Sequence, residues 1–137
     1  MEFPLWNELP DIGLYMDQVM TFMERIFGHV PGVGAITKSM VNNYVKAGLI
    51  KRPTGKRYDR DQLAQLIMVA VLKQALSMEE VAKVLLSLCE TDVESGYARF
   101  CLEYSQEAAQ PMQHDAVSAA IMAAACVMRA KACLAML

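Results

Sequence analysis

Four cysteines are all that the chain has, at Cys89, Cys101, Cys126 and Cys133, and no two of them form a CxxC pair. Each sits singly inside a helical pattern. Cys126 and Cys133 share a helix face but supply too few ligands for a metal site. The expectation is four reduced thiols acting as small core residues, with no metal and no cofactor. Long apolar runs are missing as well. The longest, Ala119 to Met128, spans ten residues and stops at Arg129, short of the roughly twenty that a bilayer helix needs. The N-terminus carries acids where a signal peptide carries basic residues. These absences argue against membrane insertion and export, and they make the cytoplasm the expected location.

Catalytic signatures are absent too. There is no phosphate-binding glycine loop, no HExxH and no nucleophile elbow. The two histidines are His29, in a glycine-rich stretch, and His114, beside Asp115 at a helix start. Aspartate there favours the helix dipole, and histidine there is commonly just exposed. The chain reads as a binding protein and not as an enzyme. Long internal repeats and low-complexity linkers are also lacking, so 137 residues fit a single domain.

Apolar residues, by contrast, are plentiful, at 55% of the chain. That is enough to fill a core and leave some for a partner interface. Charge is unevenly placed. Seven of the thirteen basic residues lie between Lys38 and Arg60, a stretch whose one acid is Asp59, so a net charge of −2 hides a window of about +6. Such a patch in an otherwise acidic chain fits a polyanion surface, because phosphate contacts supply most non-specific nucleic-acid affinity.

The periodicity is helical almost throughout. Asp11 can cap a first helix in which Ile12, Tyr15, Met16, Val19, Phe22, Met23 and Ile26 form an apolar stripe ending at Gly28. Val30 to Ile36 holds Pro31, Gly32 and Gly34 and reads as a loop. Thr37 caps a short helix to Ala47, with Gly48 at the stop. Leu49 to Arg52 and Lys56 to Tyr58 then flank Pro53-Thr54-Gly55, a turn that can close a small hairpin. Asp59 with Gln62, and Ser77 with Glu80, are capping boxes that open two further helices. The first of these, apolar all round from Leu66 to Leu72, is expected at the centre of the fold. A helix over about 93–108 follows, broken at Gln110-Pro111, and an alanine-rich helix runs from about His114 to the end. That last helix is too apolar for water and must be covered by its own chain or by a second copy. Most methionines, among them Met16, Met20, Met23, Met112, Met122, Met128 and Met136, fall on apolar stripes, where core filler is the expectation and an adaptable ligand or partner surface the alternative.

Helix, two-stranded wing and two capped helices follow one another in the order of a winged helix-turn-helix. The segment Val41-Asn42-Asn43-Tyr44-Val45-Lys46-Ala47-Gly48-Leu49-Ile50 resembles the recognition-helix region of MerR-type regulators. Arg57-Tyr58-Asp59 with Leu63 and Leu66 is similar to that family's lead into its third helix, and Ser77-Met78-Glu79-Glu80-Val81 is similar to the start of its fourth. The likeness covers about residues 37–86. It departs at Gly28 to Ile36, longer than the family's tight turn, and at Asn42 and Asn43, which replace an arginine and an aromatic residue. The family's long dimerisation helix with effector-binding residues is not recognisable here. Taken end to end, including Leu9-Pro10-Asp11-Ile12, the chain also resembles a family of Firmicutes proteins without an assigned function, which implies an all-helical body with a winged module.

The resulting expectation is an all-α, MerR-like winged helix-turn-helix. A DNA-binding module over residues 11–90 is packed with a C-terminal helical pair over 92–137. The resemblance implies a transcriptional regulator that binds double-stranded DNA as a homodimer, with helix 37–47 in the major groove and wing 49–58 on the backbone. Lys38, Ser39, Asn42, Asn43 and Lys46 form the outer face of the short helix, where asparagine can pair with adenine. Lys51, Arg52, Lys56, Arg57 and Tyr58 supply the wing. The ring of Tyr44 points inward, and in the resembling family the matching hydroxyl reaches a phosphate. Two other functions fit the same residues: a basic face for an acidic protein partner, and a sensor of a small molecule held in an apolar cavity among the C-terminal helices.

Overall fold

The computed structural model describes residues 2–30, 32–110 and 115–137. A 3-10 turn, Trp6–Glu8, precedes six α-helices: α1 (Met16–Phe27), α2 (Lys38–Lys46), α3 (Arg60–Leu72), α4 (Met78–Leu88), α5 (Val93–Ala108) and α6 (Ala116–Leu134). The chain is all-α, as its periodicity implies. Among the described residues the only β pairing is two isolated bridges, Leu14 with Tyr58 and Thr54 with Arg57.

Local caps set most of the boundaries. The Thr37 hydroxyl accepts from the Met40 N–H (3.2 Å). Asp59 and Gln62 close a reciprocal box, as do Ser77 and Glu80. Around Gly48, whose φ is +77°, Leu49 N–H donates to the Tyr44 carbonyl and Gly48 N–H to that of Val45. This is the paired closure of a Schellman end. The start of α1 differs from the sequence expectation. Asp11 does not cap it. Leu14 exchanges two backbone hydrogen bonds with Tyr58 (2.9 and 2.8 Å), so the chain stays extended there and the helix begins at Met16. Gly13 permits the approach, since a Cβ at that position would lie 2.8 Å from Arg57 Cβ. Ile12 and Tyr15 consequently face solvent.

Helix α3 is the centre of the core. Leu63, Ala64, Leu66, Ile67, Met68, Val69 and Ala70 are all buried, and α3 packs on both α4 and α5. The N-terminal segment fastens α5 to this centre. Phe3 lies among the rings of Phe27, Phe100 and Tyr104. The Tyr97 hydroxyl, on a fully buried side chain, donates to the Pro4 carbonyl at 2.6 Å.

Helix α6 behaves differently from the rest. It packs on α4, where Lys131 Nζ meets the Glu80 carboxylate at 2.6 Å and Lys83 Nζ donates to the Leu134 carbonyl at 3.5 Å. The Lys131 ammonium and the Ser77 backbone N–H draw the Glu80 carboxyl down to about 2. No residue of α6 is buried. Among the described residues its own chain covers this helix only in part, where its C-terminal half meets α4. Met122, Met128 and Met136 are exposed and not core filler, and Met112 and His114 lie outside the described residues. Cys89 and Cys101 are half-buried against the core, but Cys126 and Cys133 are exposed, contrary to a core role for all four. At 19 residues with a mean hydropathy of 1.6, α6 is by length and composition long and apolar enough to cross a membrane. The ten-residue run alone understates this, because Ala116, Val117, Ala130, Ala132, Cys133 and Leu134 around it extend the apolar character.

Candidate nucleic-acid interface

The basic window is built on α2 and the loop 49–59 that follows it. Leu49, Ile50 and Tyr58 are buried and anchor the two ends of this loop, leaving Lys51, Arg52, Thr54, Gly55, Lys56 and Arg57 exposed. The expected two-stranded hairpin is not formed between these limbs. Both backbone groups of Lys51 are taken by side chains of α3: its N–H donates to Gln65 Oε1 (3.1 Å), and its carbonyl accepts from Gln62 Nε2 (3.0 Å). The returning limb pairs with Leu14 instead. What remains of a hairpin is its tip, where Arg57 N–H donates to the Thr54 carbonyl (3.0 Å). Gly55 and Lys56 have φ of +58° and +63°, the succession of a type I′ turn.

Lys56 is the one non-glycine residue with positive φ among the described residues. A left-handed lysine carries a steric cost that asparagine or glycine largely avoids. Retaining lysine there places a cation at the outermost point of the loop. Lys56→Asn is expected to raise unfolding free energy by up to about 1 kcal/mol while weakening polyanion binding. Chemical denaturation and DNA titration on the same sample check both halves.

The seven cations of the window are not equivalent. Lys38 meets Asp17 of α1 at 2.6 Å and lowers that carboxyl below its usual range. Both groups are well exposed, so the pair adds little stability and exchanges readily. Lys51 stands 3.7 Å from Asp61. Arg57 lies over the Tyr15 ring (4.8 Å to the centroid), and its Nε and Nη2 donate to the Tyr15 hydroxyl (3.2 and 2.9 Å). Arg60 is half-buried, donating to the Leu9 carbonyl and lying over Trp6. Lys46, Arg52 and Lys56 form no ion pair among the described residues.

Those three unpaired cations converge. With Asn42, Val45, Pro53 and Tyr58 they line a groove of about 370 Å³ between α2 and the loop. The walls of this groove thus carry three basic side chains and one asparagine amide. Ser39 and Asn43 are exposed on α2 but do not line the groove. Tyr44 is buried, as the sequence implies, and burial raises its hydroxyl pKa, as it does that of Tyr58. Sequence reasoning missed Tyr15, Gln62 and Gln65 as supports. Gln62 was visible as a cap. Its position three residues before Gln65 places both amides on one face of α3, a signal that both serve the same loop.

A second concavity lies among the C-terminal helices. A cleft of about 410 Å³, open to solvent, has Val71, Leu72, Val84, Leu88, Phe100, Tyr104 and Leu134 as its apolar walls, and Arg99 and Glu103 at its rim. Those two are joined in an ion pair of 2.8 Å.

Residues 4–106 match the family model described as Domain of unknown function (DUF1836). The match takes in the basic groove and all of α1 to α4, and the chain belongs to this family. Helix α6 lies beyond the matched residues. Comparison with curated proteins and with solved structures found no match in either.

Proposed function

We propose that this DUF1836 member is a cytoplasmic transcriptional regulator that binds double-stranded DNA as a homodimer. In this reading α2 enters the major groove, and the loop 49–58 takes the place of the wing of a MerR-like helix-turn-helix and grips the flanking backbone. One observation carries it: Lys46, Arg52 and Lys56, without ion-pair partners among the described residues, converge on the groove beside Asn42. Three cations left facing solvent at one point match the charge of a phosphate run. The exposed Asn42 amide beside them, and that of Asn43 further round α2, offer a donor and an acceptor that complement adenine's edge in the major groove. The type I′ tip supports the winged reading in part, because it makes the loop protrude. Arg57, stacked on Tyr15, holds the base of that protrusion.

The test separates positioning from sequence reading. Asn42→Ala and Asn43→Ala are each expected to cost about 1–3 kcal/mol on a site selected from genomic fragments, and much less on random duplex. Fluorescence anisotropy titration on both duplexes reads the difference. Equal losses on the two would remove α2 as the reader, and no binding of the unaltered chain at low salt would remove the regulator reading altogether.

A second reading draws on the apolar cleft. Its volume and its walls, with few polar groups at the rim, suit a small apolar effector. This adds a sensing function to the regulator and does not replace it.

A further inference from the structure

The C-terminal turn of α6 supplies one wall of the apolar cleft between α3, α4 and α5, through Leu134. That wall is held in place at two points. Lys131 meets Glu80 of α4, and Lys83 Nζ donates to the Leu134 carbonyl. The enclosed space, about 410 Å³, lies within the range of roughly 300–1,000 Å³ that takes drug-sized ligands. Part of the wall is aromatic. Phe100 and Tyr104 stand about one turn apart on α5, with 6.2 Å between ring centroids and 24° between ring planes.

Charge decides which ligand chemistry suits this space. The charged residues of its lining are Arg99, Glu103 and Glu107, which follow one another at four-residue spacing along one flank of α5. Arg99 is engaged by Glu103 at 2.8 Å. Glu107 forms no ion pair among the described residues. The rim therefore keeps one carboxylate that its own arginine does not offset. Lys83 lines the neighbouring concavity, with its ammonium turned to the Leu134 carbonyl. An anionic ligand would have to part Arg99 from Glu103 and then lie beside Glu107. A cationic ligand meets Glu107 with no pair broken. It also meets aromatic rings, which attract cations within about 6 Å of their centroids. Apolar walls further favour a single, dispersed charge over a compact and strongly hydrated one.

We propose that this cleft binds a lipophilic organic monocation, its apolar body against Leu88, Phe100 and Tyr104 and its positive charge toward Glu107. The proposal rests on the reading of the cleft as an effector site and names the chemistry of the effector. Tetraphenylphosphonium is the probe, titrated into the full chain and followed by calorimetry. Saturable binding at one site is expected. Glu107→Gln should weaken it about two- to fivefold, the effect of one exposed opposite charge. Glu107→Lys, which sets a like charge there, should weaken it by more than about tenfold. Glu107 is exposed, so both variants should keep the helical circular dichroism of the unaltered chain.

Ser87, exposed on α4 and also part of the lining, gives a variant that acts from the opposite side. Ser87→Arg sets a cation at the mouth and should weaken phosphonium binding by a similar factor. Non-specific binding to the exposed side of α6 would respond to neither change. The neutral dye N-phenylnaphthylamine separates the proposal from the effector reading beneath it. Dye binding that Ser87→Arg removes, with no phosphonium binding, would leave an effector site and overturn the cation. Equal phosphonium affinity for the unaltered and Glu107→Lys chains would overturn it as well. If neither probe binds, the effector reading falls with the proposal.

Discussion

Changing Lys46, Arg52 and Lys56 together to alanine should flatten the salt dependence of DNA binding by roughly 2.7 in log–log slope, about 0.9 for each phosphate that is no longer neutralised. Affinity at low salt should fall by at least about tenfold, and by the same factor on every duplex, because phosphates carry no sequence. The corresponding change of Lys38, Lys51 and Arg57 should do less. Lys38 and Lys51 are engaged with Asp17 and Asp61, and Arg57 with the Tyr15 ring and hydroxyl. Binding isotherms at four or five salt concentrations for both triple variants settle the comparison. Equal slopes for the two would mean that the internal pairs open at no cost and that the groove has no special standing.

The largest effect on stability should come from Gln62. It is the one buried polar side chain among the described residues, 2% exposed. Its Oε1 accepts from Asp59 N–H (2.6 Å), and its Nε2 donates to the Lys51 carbonyl (3.0 Å). Gln62→Leu keeps the volume but strands both backbone groups at the base of the loop, where each unsatisfied group costs about 1–3 kcal/mol. A total loss of about 2–4 kcal/mol is expected in urea denaturation. The loop should also become more susceptible to limited tryptic proteolysis at Lys51 and Lys56. A loss below about 0.5 kcal/mol would show that water replaces the amide freely.

What the sequence disclosed and what it hid follow from the range of the interactions. Asp59 with Gln62, Ser77 with Glu80, and Thr37 all act within three residues, so the starts of α2, α3 and α4 were legible. The all-apolar stretch of α3 announced its central place for the same reason. The hairpin is reduced to its tip because the partners of its limbs were decided from a distance. Gln62 and Gln65 reach back 11 and 14 residues to occupy Lys51, and Leu14 takes the partner limb. The start of α1 failed with it, since the same bridge holds Leu14 extended. Within the site, the cluster of positive charge was visible. Which charges were already engaged was not, because Asp17 and Tyr15 come from another helix and its lead-in. The outward face of α6 was likewise undetermined, since alanine on every side gives no stripe to orient it.

The hydrogen bond from Tyr97 to the Pro4 carbonyl joins residues 93 positions apart, and the ring of Phe3 needs Phe100 and Tyr104 to complete its surroundings. On a ribosome the first residues of this chain emerge long before the ones that receive them. Phe3, Pro4 and Trp6 must wait, apolar and unseated, until α5 has been made. This segment is made well before the residues that seat it, so closure of the core has to wait until residue 104 has been made.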